Sequence, residues 1–222
     1  MTFPTPDFDA RRSEREDMVR LQLERRGITD PRVLGAMRQV PRELFVSADV
    51  RPHAYADRAL PIGSGQTISQ PFLVAVMTQA LGAGPGSHLL EVGTGSGYQA
   101  AILAHVAGDV ISIERHAELA SVAEARLAAL GCGHVRVVVG DGTEGYADGA
   151  PYDGILVTAG APHVPEALRA QLADGGRLVI PVGTSHYQEL LIVTRTGDQF
   201  EESRGEGCVF VPLVGRHGWR EP

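Results

Sequence analysis

The sequence predicts an α/β fold built on a doubly wound, mostly parallel sheet of seven strands. Three observations support this prediction: short β-rich runs alternate with helical runs from residue 87, these β-rich runs are nearly continuously apolar, and only β-like patterns follow residue 183. Apolar strands that alternate with helices are typical of a parallel sheet covered on both faces. We therefore expect an α/β core with an N-terminal helical addition and C-terminal antiparallel strands.

A single domain spanning residues 1–222 is expected, because a chain of 222 residues with 43% apolar residues fits one large folded unit. The chain divides into three parts within that domain. They are a helical part with a glycine-rich loop (1–82), the α/β core (83–183) and a β-rich part (184–222).

The N-terminal part is predicted to be helical. A polar helix is expected over 8–26, and a second helix begins at Asp30, where a cap residue precedes a proline, and ends near residue 40. The PRELFV run that follows predicts a short helical turn. A long loop then leads to a helix over 71–81.

The core is predicted to contain five strands joined by helices, and two more strands follow it. The seven strands are expected at 88–92, 110–114, 135–139, 152–158, 177–182, 189–196 and 208–214. The helices of the core are expected near 97–106, 116–129 and 164–173.

The composition argues against several classes of function. The net charge is −7, all twenty basic residues are arginine, and the Arg-rich N-terminal segment is interleaved with acidic residues, so the basic patch expected of a nucleic-acid-binding protein is missing. The absence of lysine excludes Schiff-base chemistry and a Walker-type phosphate site. No run of eighteen apolar residues predicts a membrane span, and residues 1–17 lack the apolar stretch of a signal peptide, which favours a cytoplasmic protein.

The glycine-rich stretch LLEVGTGSGYQAA (89–101) follows a predicted strand and opens a predicted helix, where nucleotide-type ligands bind in doubly wound sheets. Its glycines form G-x-G-x-G, but the dinucleotide fingerprint requires glycine or alanine at the position of Tyr98, so a pyrophosphate cradle is disfavoured. Glu91, two residues before the first glycine, repels phosphate and suits an ammonium group.

Two further strand ends complete the ligand prediction. Glu114, at the end of the second core strand, is placed to accept hydrogen bonds from both hydroxyls of a ribose, and Asp141, after the third, suits an adenine edge. A ligand with adenosine, a cationic tail and no phosphate is S-adenosylmethionine. The predicted cofactor-binding residues in this region are Glu91, Gly93, Thr94, Gly95, Ser96, Gly97, Glu114, Asp141 and Gly142. Taken singly, the glycines also fit tight packing, Glu114 a solvated strand end, and Asp141 a turn.

The sequence resembles the protein-L-isoaspartate (D-aspartate) O-methyltransferases over nearly its whole length. The resemblance rests on VPRELFV (40–46), AYADRALPIGSGQTISQPFLVAVMTQAL (54–81), LLEVGTGSGYQAAILA (89–104), GDG (140–142), YDGILVTAGAPHVPEAL (152–168), GGRLVIPVG (175–183) and FVPLVG (210–215). The ALPIG and GQTISQP segments are the most specific of these. The chain departs from the family in VTAGAP, where many members carry VTAAAP, and in its ending RHGWREP, which does not align clearly.

This resemblance implies a Rossmann-like fold of the AdoMet-dependent methyltransferase type and a repair reaction. A methyl group passes from S-adenosylmethionine to the α-carboxylate of an L-isoaspartyl residue in a damaged protein or peptide. The methyl ester then leads through a succinimide to aspartyl. The resemblance makes Ser69 the catalytic residue, with Ile68, Ser69, Gln70 and the backbone of Val211 as substrate-binding residues; Thr67 and Gln70 are also expected to contact the cofactor.

The chemistry of such a reaction suits the loop 63–71. A carboxylate is already ionised at neutral pH, so the enzyme needs to align and desolvate it rather than deprotonate it. The Thr67 and Ser69 hydroxyls and the free N–H groups at the start of helix 71–81 are neutral donors for an anion. The alternative for Ser69 is a simple helix N-cap before proline.

Other functions remain as alternatives. One alternative is an AdoMet-dependent methyltransferase of a small molecule or RNA, although TAGAP replaces the [DN]-P-P-[YF] signature of many amino-group methyltransferases. Another alternative is a non-enzymatic binding protein of the same fold. A serine hydrolase is disfavoured because no G-x-S-x-G elbow is present. The sequence leaves the roles of His53, His163 and Asp57 open.

The remaining expectations concern metals, partners and the oligomeric state. Cys132 and Cys208 are too few for a disulfide framework or a zinc site, so they are expected to be buried thiols, and no metal is expected. The expected partners are isoaspartyl-containing proteins and peptides, without nucleic acid or membrane. A monomer is expected because extended peptides must reach the site.

Overall fold

The computed structural model describes residues 7–220 and contains the predicted doubly wound sheet. Residues 1–6 and 221–222 lie outside the described residues, and with them part of the predicted single domain, part of the segment searched for a signal peptide and the last two residues of RHGWREP. The seven strands have the order β5-β4-β3-β6-β7-β8-β9, in which β3 to β7 pair in parallel and the last two pairings are antiparallel. This sheet confirms the predicted fold class.

Most helices and strands of the core lie close to their predicted positions, but the strand Leu172–Gly183, predicted over 177–182, begins inside the helix predicted near 164–173. The helices are α1 Arg12–Met18, α2 Pro31–Gln39, α3 Pro71–Leu81, α4 Tyr98–Val106, α5 Ala117–Ala129 and α6 Glu166–Ala170. The strands are β1 Leu60–Gly63, β2 Gln66–Ile68, β3 His88–Val92, β4 Asp109–Glu114, β5 Val135–Val139, β6 Tyr152–Val157, β7 Leu172–Gly183, β8 Gln188–Thr196 and β9 Gln199–Cys208. Helix α1 continues through a π-helical stretch and a 3₁₀ turn to Arg26, where Gly27 ends it with a φ of 91°.

The two faces of the sheet are buried in two apolar clusters. Successive side chains of a strand point to opposite faces, so the neighbours Leu89 and Leu90 belong to different clusters. The first cluster packs the N-terminal helices, α3 and α4 on one face, and the second packs α6 on the other. Burial on both faces explains why the central strands are apolar without alternation.

Two predictions about strands are wrong. The last strand is Gln199–Cys208 rather than 208–214, because the turn at Gly197 folds the polar run QFEESRGEGC back onto β8 as an edge strand. Residues 209–214 instead follow an irregular path, with isolated bridges at Pro212 and Val214. The glycine-rich loop was expected to be irregular, yet it forms the two-stranded hairpin β1–β2.

The topology places the ligand-binding edge at the carboxyl ends of β3, β4 and β6. Chain order reverses beside β3, whose two neighbours are β4 and β6, and such a switch point opens a crevice at the carboxyl ends of the strands. The glycine loop follows β3 directly, so it lies at the mouth of this crevice. No helix within residues 7–220 is long and apolar enough to cross a membrane.

Close packing of α3 against the sheet depends on a glycine in β6. A Cβ on Gly154 would lie 2.8 Å from Leu89 Cδ2 and 2.9 Å from Leu81 Cγ. We expect Gly154→Ala to lower the free energy of unfolding by about 1–3 kcal/mol, measured by urea denaturation, because the buried leucines must shift. Gly133→Ala is the matched control, since nothing lies within 4 Å of the added Cβ. Equal stability of the two variants would contradict the prediction.

Candidate active site

The glycine loop is held in shape by the main chain and side chains around it. Gly93 has a φ of 97°, and its N–H donates to the Ile113 carbonyl at 2.8 Å. The Thr158 hydroxyl donates to the Gly93 carbonyl at 2.6 Å, and a Cβ at Gly93 would stand only 2.3 Å from that hydroxyl oxygen. Any side chain at Gly93 would therefore displace the loop from β6.

Glu114 anchors the loop from the neighbouring strand. Its Oε2 accepts the Gly95 N–H at 2.8 Å, and its Oε1 accepts the His116 N–H at 2.9 Å. The side chain is 5% exposed, yet it lines a cavity of about 100 Å³, which we call the inner cavity. Each carboxylate oxygen retains a lone pair, so Glu114 can still accept hydrogen bonds from a ligand.

The chemistry of the residues around the inner cavity suits the adenosine part of S-adenosylmethionine. Gly93 and Gly95 leave room at the cavity wall, Glu114 offers a carboxylate suited to ribose hydroxyls, and Ile113 and Leu213 offer apolar surface suited to a heterocycle. The predicted glycine residue Gly142 also lines this cavity, and a Cβ there would meet Val92 Cγ1 at 2.4 Å.

Glu91 lies beneath the loop rather than at the inner cavity. It is fully buried; Ser112 donates a short hydrogen bond to its Oε2, and Oε1 has no hydrogen-bond partner within the part of the chain described. The hydroxyls of Ser112 and Thr94 lie 2.5 Å apart, which links Glu91 to the loop. Burial raises the pKa of Glu91 to about 8, with the Ser112 hydrogen bond opposing the shift and the charge of Glu114 adding to it.

Asp141 holds the C-terminal segment instead of facing the inner cavity. Its Oδ1 accepts the N–H and hydroxyl of Thr143, and its Oδ2 accepts the Arg216 N–H at 2.7 Å. Although burial alone would raise the pKa of Asp141, these donors hold it below its ordinary value. Within the described residues Asp141 therefore fixes the segment whose Leu213 and Val214 close the inner cavity.

The remaining predicted loop residues, Thr94, Ser96 and Gly97, lie just before the N-terminus of helix α4. Gly97 has a φ of 89° and precedes the first residue of α4, and the buried Ser96 accepts a hydrogen bond from Arg126 on its carbonyl at 3.2 Å. Thr94 and Ser96 border a gap of about 30 Å³ that separates the glycine loop from the β2 segment.

The hairpin β1–β2 carries the second group of predicted residues. Thr67 and Ser69 line the gap beneath the glycine loop, and both also line a larger cavity of about 330 Å³, which we call the outer cavity. Gln70 lies at the outer cavity, whereas Ile68 is buried and borders only the gap. Thr67 lines the inner cavity as well, so residues 67–69 separate the two sites.

Ser69 is not a helix cap. The N-cap of α3 is Gln70, whose side chain makes no capping bond, and Pro71 follows at the first helical position. The N-cap alternative for Ser69 is therefore wrong by one residue, and its hydroxyl is not committed to the helix start. The N–H groups of Phe72 and Leu73, in the first turn, have no partner inside the helix, as is general for helix N-termini.

Val211 lies in the irregular segment that replaces the predicted last strand. Its carbonyl accepts the Gly160 N–H at 2.8 Å, and the Leu213 N–H donates to the Gly160 carbonyl at 2.8 Å. This pairing fixes the segment to the loop after β6. Val211 lines the inner cavity, while its neighbours Val209 and Phe210 line the outer one.

The residues that the sequence left open have structural surroundings. Asp57 forms an ion pair with Arg26 at 2.8 Å, and its carbonyl accepts from Gln70 Nε2 at 3.2 Å, so it connects the first helical region to the β2 segment. His53 and His163 are exposed, and neither lines the inner or the outer cavity.

Both cysteines are buried free thiols. Burial raises the pKa of the Cys132 thiol, and it raises the pKa of the Cys208 thiol to about 11. Among residues 7–220 no cluster of three or more His, Cys, Asp or Glu side chains is placed to hold a metal ion.

Sequence reasoning missed several residues of the site. Ser112 was recognisable as a polar residue inside the buried strand VISIE, since such groups need a hydrogen-bond partner. Thr158 and Gln66 gave no comparable signal, although Thr158 holds the Gly93 carbonyl and Gln66 lines the inner cavity. Arg42, within the PRELFV run, is completely buried next to the β2 segment.

Comparison with known proteins gives one consistent result. Residues 13–218 match the family model described as protein-L-isoaspartate(D-aspartate) O-methyltransferase. The chain is 53% identical over 219 residues to a protein-L-isoaspartate O-methyltransferase of Methanoregula boonei, with 99% of each chain covered. A protein of the same name from Methanospirillum hungatei is 53% identical over 96% of this chain and 99% of its own length.

Solved structures agree with the sequence relatives. One protein-L-isoaspartate O-methyltransferase structure matches 92% of this chain and 67% of its own with a TM-score of 0.83 and 29% identity. A second, from Plasmodium falciparum, is named as a protein-L-isoaspartate O-methyltransferase in complex with S-adenosyl-L-homocysteine. It matches 90% of this chain and 98% of its own with a TM-score of 0.76 and 26% identity.

The buried Glu91 predicts a pH-dependent stability. Its pKa of about 8 in the folded state exceeds its ordinary value of 4.5, so the stability it contributes is complete below about pH 4.5 and is lost as the pH rises through 8. Glutamine remains neutral at every pH. We therefore expect the free energy of unfolding of Glu91→Gln, relative to that of the wild type, to rise by on the order of a few kcal/mol between pH 5 and pH 9. Urea denaturation across this range measures the difference; a constant difference would contradict the prediction.

Proposed function

The chain belongs to the protein-L-isoaspartate(D-aspartate) O-methyltransferase family, and from this membership we propose how its residues divide the reaction. The enzyme transfers a methyl group from S-adenosylmethionine to the α-carboxylate of L-isoaspartyl residues in damaged proteins and peptides. The methyl ester then leads through a succinimide to aspartyl. The inner cavity takes the methyl donor, and the outer cavity takes the isoaspartyl segment.

One observation carries this division: Thr67 and Ser69 line both the outer cavity and the gap that borders the glycine loop. A carboxylate held at Ser69 would therefore lie next to the loop that binds the methyl donor. Proximity and orientation are the main requirements of this reaction, because the substrate carboxylate is already ionised at neutral pH.

Ser69 is proposed to orient the carboxylate through its hydroxyl. Gln70 adds its N–H, and the first turn of α3 adds the partial positive charge of a helix N-terminus. Neutral donors suit a nucleophile, because a tightly paired guanidinium would withdraw electron density from it. Arg58 also lines the outer cavity and adds a positive charge there, because Asp57 beside it is already paired with Arg26.

The residues proposed to hold the cofactor are those at the inner cavity and beneath it. S-adenosylmethionine supplies, when bound, a methyl group on a positively charged sulfur. Glu114 would accept hydrogen bonds from the ribose hydroxyls, and the loop from Gly93 to Gly97 would lie against the ligand. Glu91 and Asp141 act on the cofactor site indirectly in this proposal. Glu91 supports the glycine loop from below, and Asp141 positions the segment that contains Leu213.

The substrate backbone is proposed to pair with the main chain at Val211, between the two cavities. Val211 lines the inner cavity, and the adjoining Val209 and Phe210 line the outer one, which supports this position. Replacement of the Val211 side chain should therefore matter little.

We also infer the setting in which the enzyme acts. A monomer leaves the outer cavity open to extended peptides, and the net charge of −7 disfavours nucleic acid and anionic membranes as partners. A cytoplasmic location is part of this proposal, and the free thiols of Cys132 and Cys208 fit a reducing compartment. All 222 residues are proposed to form one domain.

Paired peptides test the function directly. The protein is incubated with tritiated S-adenosylmethionine and two peptides that differ only in an isoaspartyl or an aspartyl linkage, and base-labile methyl ester is counted. We expect labelling of the isoaspartyl peptide alone, because only its extra main-chain carbon presents the α-carboxylate at the outer cavity. Equal labelling of both peptides would contradict the proposal, as would labelling of neither; labelling of a small molecule or RNA alone would favour the alternative acceptors.

Ser69→Ala tests the role of the hydroxyl. We expect kcat for the isoaspartyl peptide to fall by about 10–1,000-fold while the affinity for S-adenosylhomocysteine stays within about two-fold, because the lost donor acts on the reacting carboxylate. Steady-state kinetics and calorimetric titration measure the two effects. An unchanged kcat would leave Ser69 without a catalytic role.

A further inference from the structure

Arg42 is the largest side chain with essentially no solvent exposure, and its hydrogen bonds go to main-chain carbonyls. Its Nε donates to the Ala54 carbonyl at 2.7 Å and its Nη2 to the Ser69 carbonyl at 2.7 Å. The guanidinium carbon lies 4.9 Å from the ring centroid of Tyr98, the first residue of α4. Nη1 is buried without a hydrogen-bond partner among the described residues.

This arrangement costs stability. A buried guanidinium whose hydrogen bonds go to neutral groups is poorly compensated for its lost hydration. Burial lowers the pKa of Arg42, and Tyr98, Tyr55 and Asp57 oppose this shift without reversing it. An apolar side chain of similar size would fill the same space at lower cost. A cation kept at this cost implies a role that an apolar residue cannot fill.

The two carbonyls belong to two of the segments that form the outer cavity; residues 207–210 line another side of it. Ala54 begins the segment that leads to Asp57 and Arg58, and Ser69 ends the β2 segment; Asp57, Arg58 and Ser69 all line this cavity. Along the chain they lie 12 and 27 residues from Arg42. The rigid planar fork of one arginine therefore sets the distance between them.

Tyr98 extends this connection to the cofactor side. It follows Gly97 directly, and it borders the gap together with Ser69 and Gly95. A cation over an aromatic face is held by the ring as well as by its hydrogen bonds. Arg42 thus contacts the β2 segment and the start of α4, the two elements whose separation decides how far Ser69 lies from the methyl donor.

We propose that Arg42 is a positioning residue for methyl transfer, which holds the main chain at Ser69 at a set distance from the glycine loop. The inference rests on the proposed role of Ser69. Displacement of a reacting group by about 1 Å can lower the rate by about 100-fold. The benefit of a fixed Ser69 carbonyl therefore outweighs the cost of burying the Arg42 charge. Arg42 itself lies behind the loop, away from the outer cavity, whose lining does not include it.

The test is a double-mutant cycle between Arg42 and Ser69. Arg42→Lys and Arg42→Gln are made in the wild type and in Ser69→Ala, and kcat, KM for the isoaspartyl peptide and affinity for S-adenosylhomocysteine are measured. Lysine keeps a charge without the planar fork, and glutamine keeps an amide donor without a buried charge, so that a folding defect of one variant does not decide the result.

Arg42 is expected to act through Ser69. Each Arg42 variant should lower kcat by about ten-fold or more in the wild type but by less than about three-fold in Ser69→Ala, since the effects of residues that act as a unit are not additive. Affinity for S-adenosylhomocysteine should stay within about two-fold, and lysine should retain more activity than glutamine.

Arg15→Lys is the matched control. Arg15 is also buried and also donates to main-chain carbonyls, those of Arg38 and Phe8 at 2.6 Å each. Its side-chain partners are the Tyr55 hydroxyl and Glu43, and none of its described hydrogen bonds goes to the β2 segment or α4. We expect Arg15→Lys to lower the melting temperature as Arg42→Lys does, with kcat within about two-fold of the wild type.

The outcomes separate this inference from the proposed function. Equal losses from the Arg42 variants in both backgrounds, or no loss in either, would overturn the positioning role while the wild type still methylates isoaspartyl peptide. Failure of the wild type to methylate that peptide would instead overturn the proposed function, and a wild-type kcat in Ser69→Ala would overturn the role of Ser69 on which the inference rests.

Discussion

The site depends on the hydrogen bonds that Glu114 accepts from the main chain of the glycine loop and of the following turn. Glu114, at the end of β4, holds the left-handed loop after β3 together with the Ile113 carbonyl and the Thr158 hydroxyl. One carboxylate therefore fixes the loop and also offers lone pairs to the inner cavity. Parallel pairing of β3 with β4 makes this possible, because it brings both carboxyl ends to the same edge.

The N-terminal addition and the C-terminal segment turn this common core into a specific site. Hairpin β1–β2 and α3 bring Ser69 to the gap beside the glycine loop, and Arg42 joins this hairpin region to α4. From the other side, the segment at Val211 pairs with Gly160, and Trp219 Nε1 donates to the Gly160 carbonyl at 2.9 Å. The two cavities meet where these additions approach each other.

Buried polar groups carry much of this organisation. Glu91, Ser112 and Thr94 form one network beneath the loop, and Arg42 forms another behind Ser69. Networks of this kind are costly when a member is lost, because the remaining groups stay buried without partners. Burial of these polar groups therefore lowers the stability of the protein while it fixes the relative position of the two cavities.

The sequence by itself determined the fold class, the order of the core elements and the family. These follow from local patterns: apolar strands alternate with helices, glycine-rich turns sit at strand ends, and the GQTISQP segment is specific. Helix α3 lies at its predicted residues because Pro71 and Gly82 limit it locally. The last strand was misplaced because the apolar run at 208–214 resembles a strand, whereas the polar run 199–208 pairs only through its neighbour β8.

Only the tertiary structure decided the surroundings of the individual side chains. Glu91 and Asp141 were predicted to contact the ligand from their positions at strand ends. The burial of Glu91 beneath the loop and the hydrogen bond that Asp141 accepts from the Arg216 N–H depend on segments far apart in the chain. The importance of Arg42 likewise appears only when Ala54, Ser69 and Tyr98 come together around it. Local sequence patterns specify elements, whereas burial and hydrogen bonding at a site depend on contacts between distant segments, which no single stretch of sequence contains.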